Sequence, residues 1–245
     1  MRKKKQSKTP QITGSGDDAV LVVEAYKKLR ANLLFSLASS KKKIILFSSP
    51  EPDTGKSTTC GNLAVMMAQT GHRVLLIDAD LRRPTLHRIF RVNKAEGLTR
   101  YLINVATWEE CVKKDVSPNV DLITSGPIPP NPSELLGSAR MQQLLDEAAE
   151  QYDYVFVDTP PVNVVTDGLV LAARAAGVVL LSRYNTTTYD ELQEAVDSVK
   201  NVQGNLLGVI INDYKYTTDN KQRRYYTRRY GYGYGKKPVE TTTEN

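Results

Sequence analysis

The sequence predicts an α/β domain: a mostly parallel, doubly wound sheet with helices on both faces. Three observations point to it. Short apolar runs recur along the chain. Stretches with helical spacing lie between them, an alternation that implies right-handed βαβ units. The 245 residues, 40% hydrophobic and 24% charged, suit one soluble domain of this class.

The elements follow in order. From Ala19 the apolar residues Val22, Tyr26, Leu29, Leu33 and Leu37 recur at spacings of three and four, predicting a helix. Ile44–Phe47 is the first buried strand, and further strands are expected at Val74–Ile77, Val120–Ile123, Tyr154–Val157, Val178–Leu181 and Leu207–Ile211. Helices are expected at Ser57–Gln69, Ser138–Gln151, Thr166–Ala175 and Tyr189–Val202. Pro127, Pro129, Pro130 and Pro132 mark a rigid loop. The expected organisation is a basic flexible segment over 1–18, a domain over 19–214, and a Tyr/Arg/Gly-rich disordered tail over 215–245.

Charge follows this division. The net charge is +6, but residues 1–8 carry five positives and no negatives, and residues 215–245 carry +5. Residues 9–214 carry −4, which argues against a body that binds nucleic acid. Cys60 and Cys111 are too few and too distant for a disulfide framework or a zinc site. No apolar stretch approaches the ~20 residues needed to span a bilayer. The basic start lacks the apolar centre of a signal peptide, so a cytoplasmic protein is expected.

After Ile44–Phe47 comes Ser48-Ser49-Pro50-Glu51-Pro52-Asp53-Thr54-Gly55-Lys56-Ser57-Thr58 and then a helix. This is the layout of a P-loop, where backbone N–H groups and a helix N-terminus face phosphates. Lys56 would reach the β and γ phosphates, Ser57 would bind Mg²⁺ and Thr58 could reach the α phosphate. Asp53, Thr54 and Gly55 complete the loop. Ile77-Asp78-Ala79-Asp80 ends a strand with two carboxylates spaced to point the same way. Asp158 ends another strand, as in a Walker B motif. In open α/β sheets ligands bind at such strand ends. Together these sites predict binding of ATP with Mg²⁺, whose hard oxygen ligands include waters held by carboxylates.

Ser57 in the loop, Ile77-Asp78-Ala79-Asp80-Leu81-Arg82 and Val157-Asp158-Thr159-Pro160-Pro161 together resemble the bacterial tyrosine kinases. Asn131-Pro132-Ser133-Glu134-Leu135-Leu136 also looks like a segment of that family, and the Tyr-rich tail is similar to its autophosphorylation cluster. The resemblance runs from about Val22 to Gly235. It implies a protein-tyrosine kinase whose catalytic residues are Lys56, Asp78, Asp80 and Asp158. Ser57, Asp78 and Asp158 would hold the metal, and Asp80 would lie near the incoming phenol. The implied autophosphorylation sites are Tyr225, Tyr226, Tyr230, Tyr232 and Tyr234. Asn212, at the end of a strand, is a candidate adenine reader by analogy with related ATPases. Arg82 and Arg83 would either balance the carboxylates, touch a neighbouring subunit or face solvent.

The sequence departs from the family pattern twice. Asp53 stands where the loop usually has Gly, which allows positive φ. Asp tolerates that conformation but repels phosphate. The family's Glu-x-x-Arg-x-x-Arg oligomerisation motif reads Glu24, Lys27 and Arg30 here, and Lys lacks the bidentate fork of Arg.

By resemblance, the expected partners are a membrane-spanning activator or polysaccharide co-polymerase, further copies of the chain in a ring, tyrosine-bearing protein substrates and a cognate phosphatase. The setting would be capsular or exopolysaccharide synthesis at the inner face of the membrane. Three rival readings compete. A partitioning or septum-site ATPase switch would carry Lys where this chain has Glu51. A nucleotide-binding adaptor is suggested by Asp53. An RNA-binding protein would use the Arg/Tyr/Gly tail.

Overall fold

The structure is a computed structural model that describes residues 17–38, 40 and 43–214, with side chains from residue 21 onward. Among the described residues seven strands form one sheet: β1 (Ile44–Ser48), β2 (Val74–Asp78), β3 (Val112–Ser117), β4 (Val120–Ile123), β5 (Tyr154–Asp158), β6 (Gly177–Arg183) and β7 (Leu206–Asn212). Their spatial order is β3-β4-β2-β5-β1-β6-β7. All pairings are parallel except β3 with β4. The six strands expected from apolar runs are present. β3 was not expected, because Val112-Lys113-Lys114-Asp115-Val116-Ser117 is an edge strand with its polar residues partly out in solvent.

Each face of the sheet carries its own core. Helices α1 (Asp17–Ser36), α2 (Lys56–Ala68) and α3 (Leu86–Ile89) cover one face. There Leu33, Leu37, Leu63, Met67 and Phe90 pack on Ile45, Phe47, Leu76 and Phe156. The other face lies under α4 (Leu98–Leu102), α5 (Trp108–Cys111), α6 (Pro132–Gly137), α7 (Ala139–Gln151), a 3₁₀ helix (Leu169–Arg174) and α8 (Tyr189–Asn201). Strand residues alternate between the two cores: Ile45 and Phe47 face one, Ile44 and Leu46 the other. A central parallel sheet therefore reads as continuous apolar runs.

Local chemistry sets the helix ends. Thr188 and Glu191 form a capping box for α8, Thr107 and Glu110 one for α5, and the Ser138 hydroxyl accepts from the Met141 amide at the start of α7. Four short helices, α3 to α6, were not expected; at four to six residues they are too short to show a period. The helix expected at Thr166–Ala175 is the shorter 3₁₀ turn. Helix α1 begins at Asp17, so the boundary expected after residue 18 falls just inside it. Residues 1–16 and 215–245 lie outside the described residues, and with them the expected flexible ends and Tyr225, Tyr226, Tyr230, Tyr232 and Tyr234.

Candidate active site

The carboxyl ends of β1, β2 and β5 meet in a cleft of about 400 Å³. The loop from Ser49 to Thr58 forms one wall, while Asp80, Arg82, Arg83 and Pro160 help to form the others. Gly55 enters α2 at φ 86°, and a Cβ there would come within 2.1 Å of the Asn212 amide nitrogen. Only glycine meets both demands. Asp53 is held at φ 60°, the conformation for which a glycine would be the ordinary choice.

Lys56 is buried at the centre. Its Nζ lies 2.5 Å from Asp158 Oδ1, 3.9 Å from Asp80 Oδ2 and 3.4 Å from Ser57 Oγ. Burial alone would lower its pKa, but the charges of Asp158 and Asp80 outweigh that and raise it. Asp78 and Asp158 are register neighbours on β2 and β5, both fully buried. Burial pushes both carboxyls up; the Asp158 charge adds to the rise at Asp78, while Lys56 opposes it at Asp158. Asp78 Oδ2 accepts the Thr85 and Leu86 amides at the start of α3, and Asp80 Oδ1 accepts the Arg83 amide.

Three buried polar atoms here have no hydrogen-bond partner: Asp78 Oδ1, Asp158 Oδ2 and the Thr54 hydroxyl. Uncompensated buried oxygens are costly and uncommon. Two carboxylate oxygens and a loop hydroxyl around one cleft are a donor set that fits a magnesium-bound nucleotide. No three His, Cys, Asp or Glu side chains among the described residues form a metal cage by themselves. If Mg²⁺ enters with a nucleotide, Ser57, Asp78 and Asp158 would be the protein side of its site, with phosphate oxygens and waters as the remaining ligands.

Two expected residues have partners that the sequence did not show. The Asn212 amide nitrogen donates to the Thr54 carbonyl at 2.8 Å, so its side chain fastens the phosphate loop from below. The Arg82 guanidinium pairs with Asp167 of the same chain at 2.6 Å, a carboxylate outside the three motifs. A second fastening of the loop had not been expected. The Thr187 hydroxyl donates to Glu51 at 2.6 Å and itself accepts the Arg183 amide. Of the trio on α1, Lys27 and Glu24 pair at 2.6 Å, while Arg30 turns inward to the Met66 carbonyl near the end of α2.

A phosphate loop at the switch point of a parallel sheet, faced by strand-end aspartates, defines a P-loop nucleotide-binding domain, and residues 42–209 match the AAA domain family. The tyrosine-protein kinase YwqD of Bacillus subtilis is 40% identical over 205 residues, 84% of this chain and 86% of YwqD. The kinase domain of Escherichia coli tyrosine kinase ETK superposes with a TM-score of 0.75 at 34% identity, over 80% of this chain and 78% of that one. The chimerical protein CapA2B2 gives 0.76 at 34% identity, over 86% and 91%. The chain belongs to the bacterial tyrosine kinase family. It spans about 30% of the length of other curated relatives that it matches.

Proposed function

We propose that the chain transfers the γ-phosphoryl group of Mg-ATP to tyrosine hydroxyls. The observation that carries this reading is the under-satisfied charge cluster: Lys56 among Asp78, Asp80 and Asp158, with two carboxylate oxygens unpartnered. In the resting site Lys56 is spent on Asp158. Binding would draw it onto the phosphates, and Asp158 and Asp78 would then turn to the metal or its waters. The metal neutralises charge on the transferring group. Asp80 lies at the cleft wall, where it would orient the phenol and take its proton as the new P–O bond forms and the bond to the β-phosphate oxygen breaks. A phenol has a pKa near 10, so positioning should count as much as basicity.

The substrates would include Tyr225, Tyr226, Tyr230, Tyr232 and Tyr234 of a neighbouring copy. Each phosphate adds about −1.5 to −2 charge and would reverse the basic tail. A membrane-spanning activator would recruit the chain to the inner face of the membrane, where it would regulate capsular or exopolysaccharide synthesis; a phosphatase would reset it. Among the described residues no helix is long and apolar enough to cross a membrane. Glu24, Lys27 and Arg30 would take part in self-association into a ring; Glu24 and Lys27 pair with each other on α1.

The test is to incubate the protein with Mg-ATP and the activator's cytoplasmic segment, then map phosphotyrosine by mass spectrometry. Lys56→Met should lower the rate by about 10²–10³-fold, as loss of one preorganised charge at a transition state does, and Asp78→Ala/Asp80→Ala should abolish it. Hydrolysis without phosphotyrosine would instead indicate a switch ATPase. Nucleotide binding with neither activity would indicate an adaptor.

A further inference from the structure

Asp167 lies outside the motifs read from the sequence, yet two separate segments converge on it with three hydrogen bonds. Arg82 Nε donates to its Oδ2 at 2.6 Å, and Arg82 Nη2 to its Oδ1 at 3.3 Å. The Ser133 hydroxyl also donates to Oδ1. Asp167 is 2% exposed, whereas the Arg82 side chain is 47% exposed and lines the cleft. A buried carboxylate with three donors is a fixed point, because no single donor can leave without exposing its charge.

Its own backbone is held as well. A Cβ on the next residue, Gly168, would come within 2.7 Å of the Thr159 side chain, so the chain presses against the residue after Asp158. Arg82 follows Asp80 by two residues, and Ser133 belongs to α6, whose Leu136 shares a core with Leu171 of the 3₁₀ helix. The tie thus links the ends of β2 and β5, which carry the aspartates, to the proline-rich loop leading into α6.

We infer that Asp167 is a positioning residue for phosphoryl transfer, holding through Arg82 and Ser133 the loop that places Asp80 opposite Lys56. The inference rests on the kinase reading above. Phosphate and metal would be held by Lys56, Ser57, Asp78 and Asp158, whereas the hydrogen bonds to Asp167 come from Arg82 and Ser133. Loss of the tie should therefore act on turnover rather than on nucleotide affinity.

The experiment compares wild type with Asp167→Asn, Arg82→Ala, their double variant and Ser133→Ala. Turnover is expressed per ADP-binding site counted by calorimetry, so a misfolded fraction does not register. Asp167→Asn should lower tyrosine phosphorylation by about tenfold or more, the scale of a displaced catalytic group, with Mg-ADP affinity within about threefold of wild type. The double variant should be no slower than the slower single one, because both remove one tie. Ser133→Ala should show a smaller fall of the same kind, and it carries the test if Asp167→Asn does not fold. Turnover within about twofold of wild type in the folded variants, or additive losses in the double, overturns the inference. If wild type phosphorylates no tyrosine, the proposed function fails instead. The tie is then read by amide exchange at Arg83, Thr85 and Leu86, and equal exchange in wild type and variant overturns it.

Discussion

At the carboxyl end of the sheet Lys56 faces Asp78, Asp80 and Asp158. Across β3 and β4, Lys114 faces Asp121, and the Tyr152 hydroxyl bonds both. Both clusters bury aspartate on a strand. Asp121 is fully served: its Oδ1 accepts the Asp115 amide at 2.8 Å, and its Oδ2 accepts Lys114 at 3.0 Å and Tyr152 at 2.6 Å. At the other cluster, three carboxylates share one ammonium, and Asp78 Oδ1 and Asp158 Oδ2 accept nothing. One cluster is complete by itself and joins the β3–β4 edge to the end of α7. The other leaves two buried carboxylate oxygens unpartnered. The same residue type thus marks structure or function according to whether its lone pairs are used.

Substitution by asparagine should separate the two sharply. Asp121→Asn removes the charge that Lys114 and Tyr152 are built around, and should destabilise the protein by about 1–2 kcal/mol. Its effect on ADP binding should be nil. Asp78→Asn relieves repulsion in a cluster with surplus negative charge, and should stabilise the nucleotide-free protein by about 1 kcal/mol, while removing most of the stabilisation that Mg-ADP confers. Thermal melts with and without Mg-ADP read both variants; a loss of stability in Asp78→Asn would break the contrast.

The pH dependence of that gain has a definite sign. The Asp78 carboxyl is raised well above its ordinary value by burial and by Asp158, so the folded state takes up a proton more readily than the unfolded chain. Ionisation therefore costs stability as pH rises through the raised value. The advantage of Asp78→Asn should be full above that value and shrink as pH falls below it. Denaturant titrations from acid to alkaline pH check this.

Much of this contrast was legible beforehand. The phosphate loop, both strand-end aspartate motifs and the six strands with continuous apolar runs show in the sequence because each is local. Lys56 and Asp158 are 102 residues apart, yet each carries its own motif. The partners of Arg82 and Asn212 did not show. Asp167 and Thr54 lie 85 and 158 residues away from them, and no spacing rule relates the pairs. The Asp121 cluster was invisible for the same reason, since Lys114 and Tyr152 look like ordinary surface and core residues until β3 folds against β4.

Within the active cluster, the fastenings of the phosphate loop can be probed apart from its charges. Asn212→Ala leaves the Thr54 carbonyl without its donor. One hydrogen bond of this kind contributes about 1 kcal/mol, so Mg-ADP affinity should fall by roughly fivefold if the bond preorganises the loop. Asn212→Asp should be worse than alanine, because a carboxylate would face the Thr54 carbonyl. Wild-type affinity in both variants would show that the bond does not matter.

Asp53 should give the smallest effect, with opposing contributions. Its φ of 60° is a conformation in which glycine is relaxed and a residue with a Cβ is strained. Asp53→Gly removes that strain, in favour of stability, and a negative charge at the cleft wall, in favour of nucleotide. It also frees the unfolded chain, which works against stability by up to about 1 kcal/mol. Strain relief and entropy should nearly cancel in the melting temperature. The charge term survives, since it acts only when phosphate is present; across solvent it contributes about 0.5 kcal/mol or less. Mg-ADP should therefore bind Asp53→Gly about twofold more tightly, with a difference that fades as salt is added. Calorimetry at two salt concentrations reads it: a gain that persists at high salt would assign the effect to loop conformation, and no gain would show that the carboxylate points away from the phosphates.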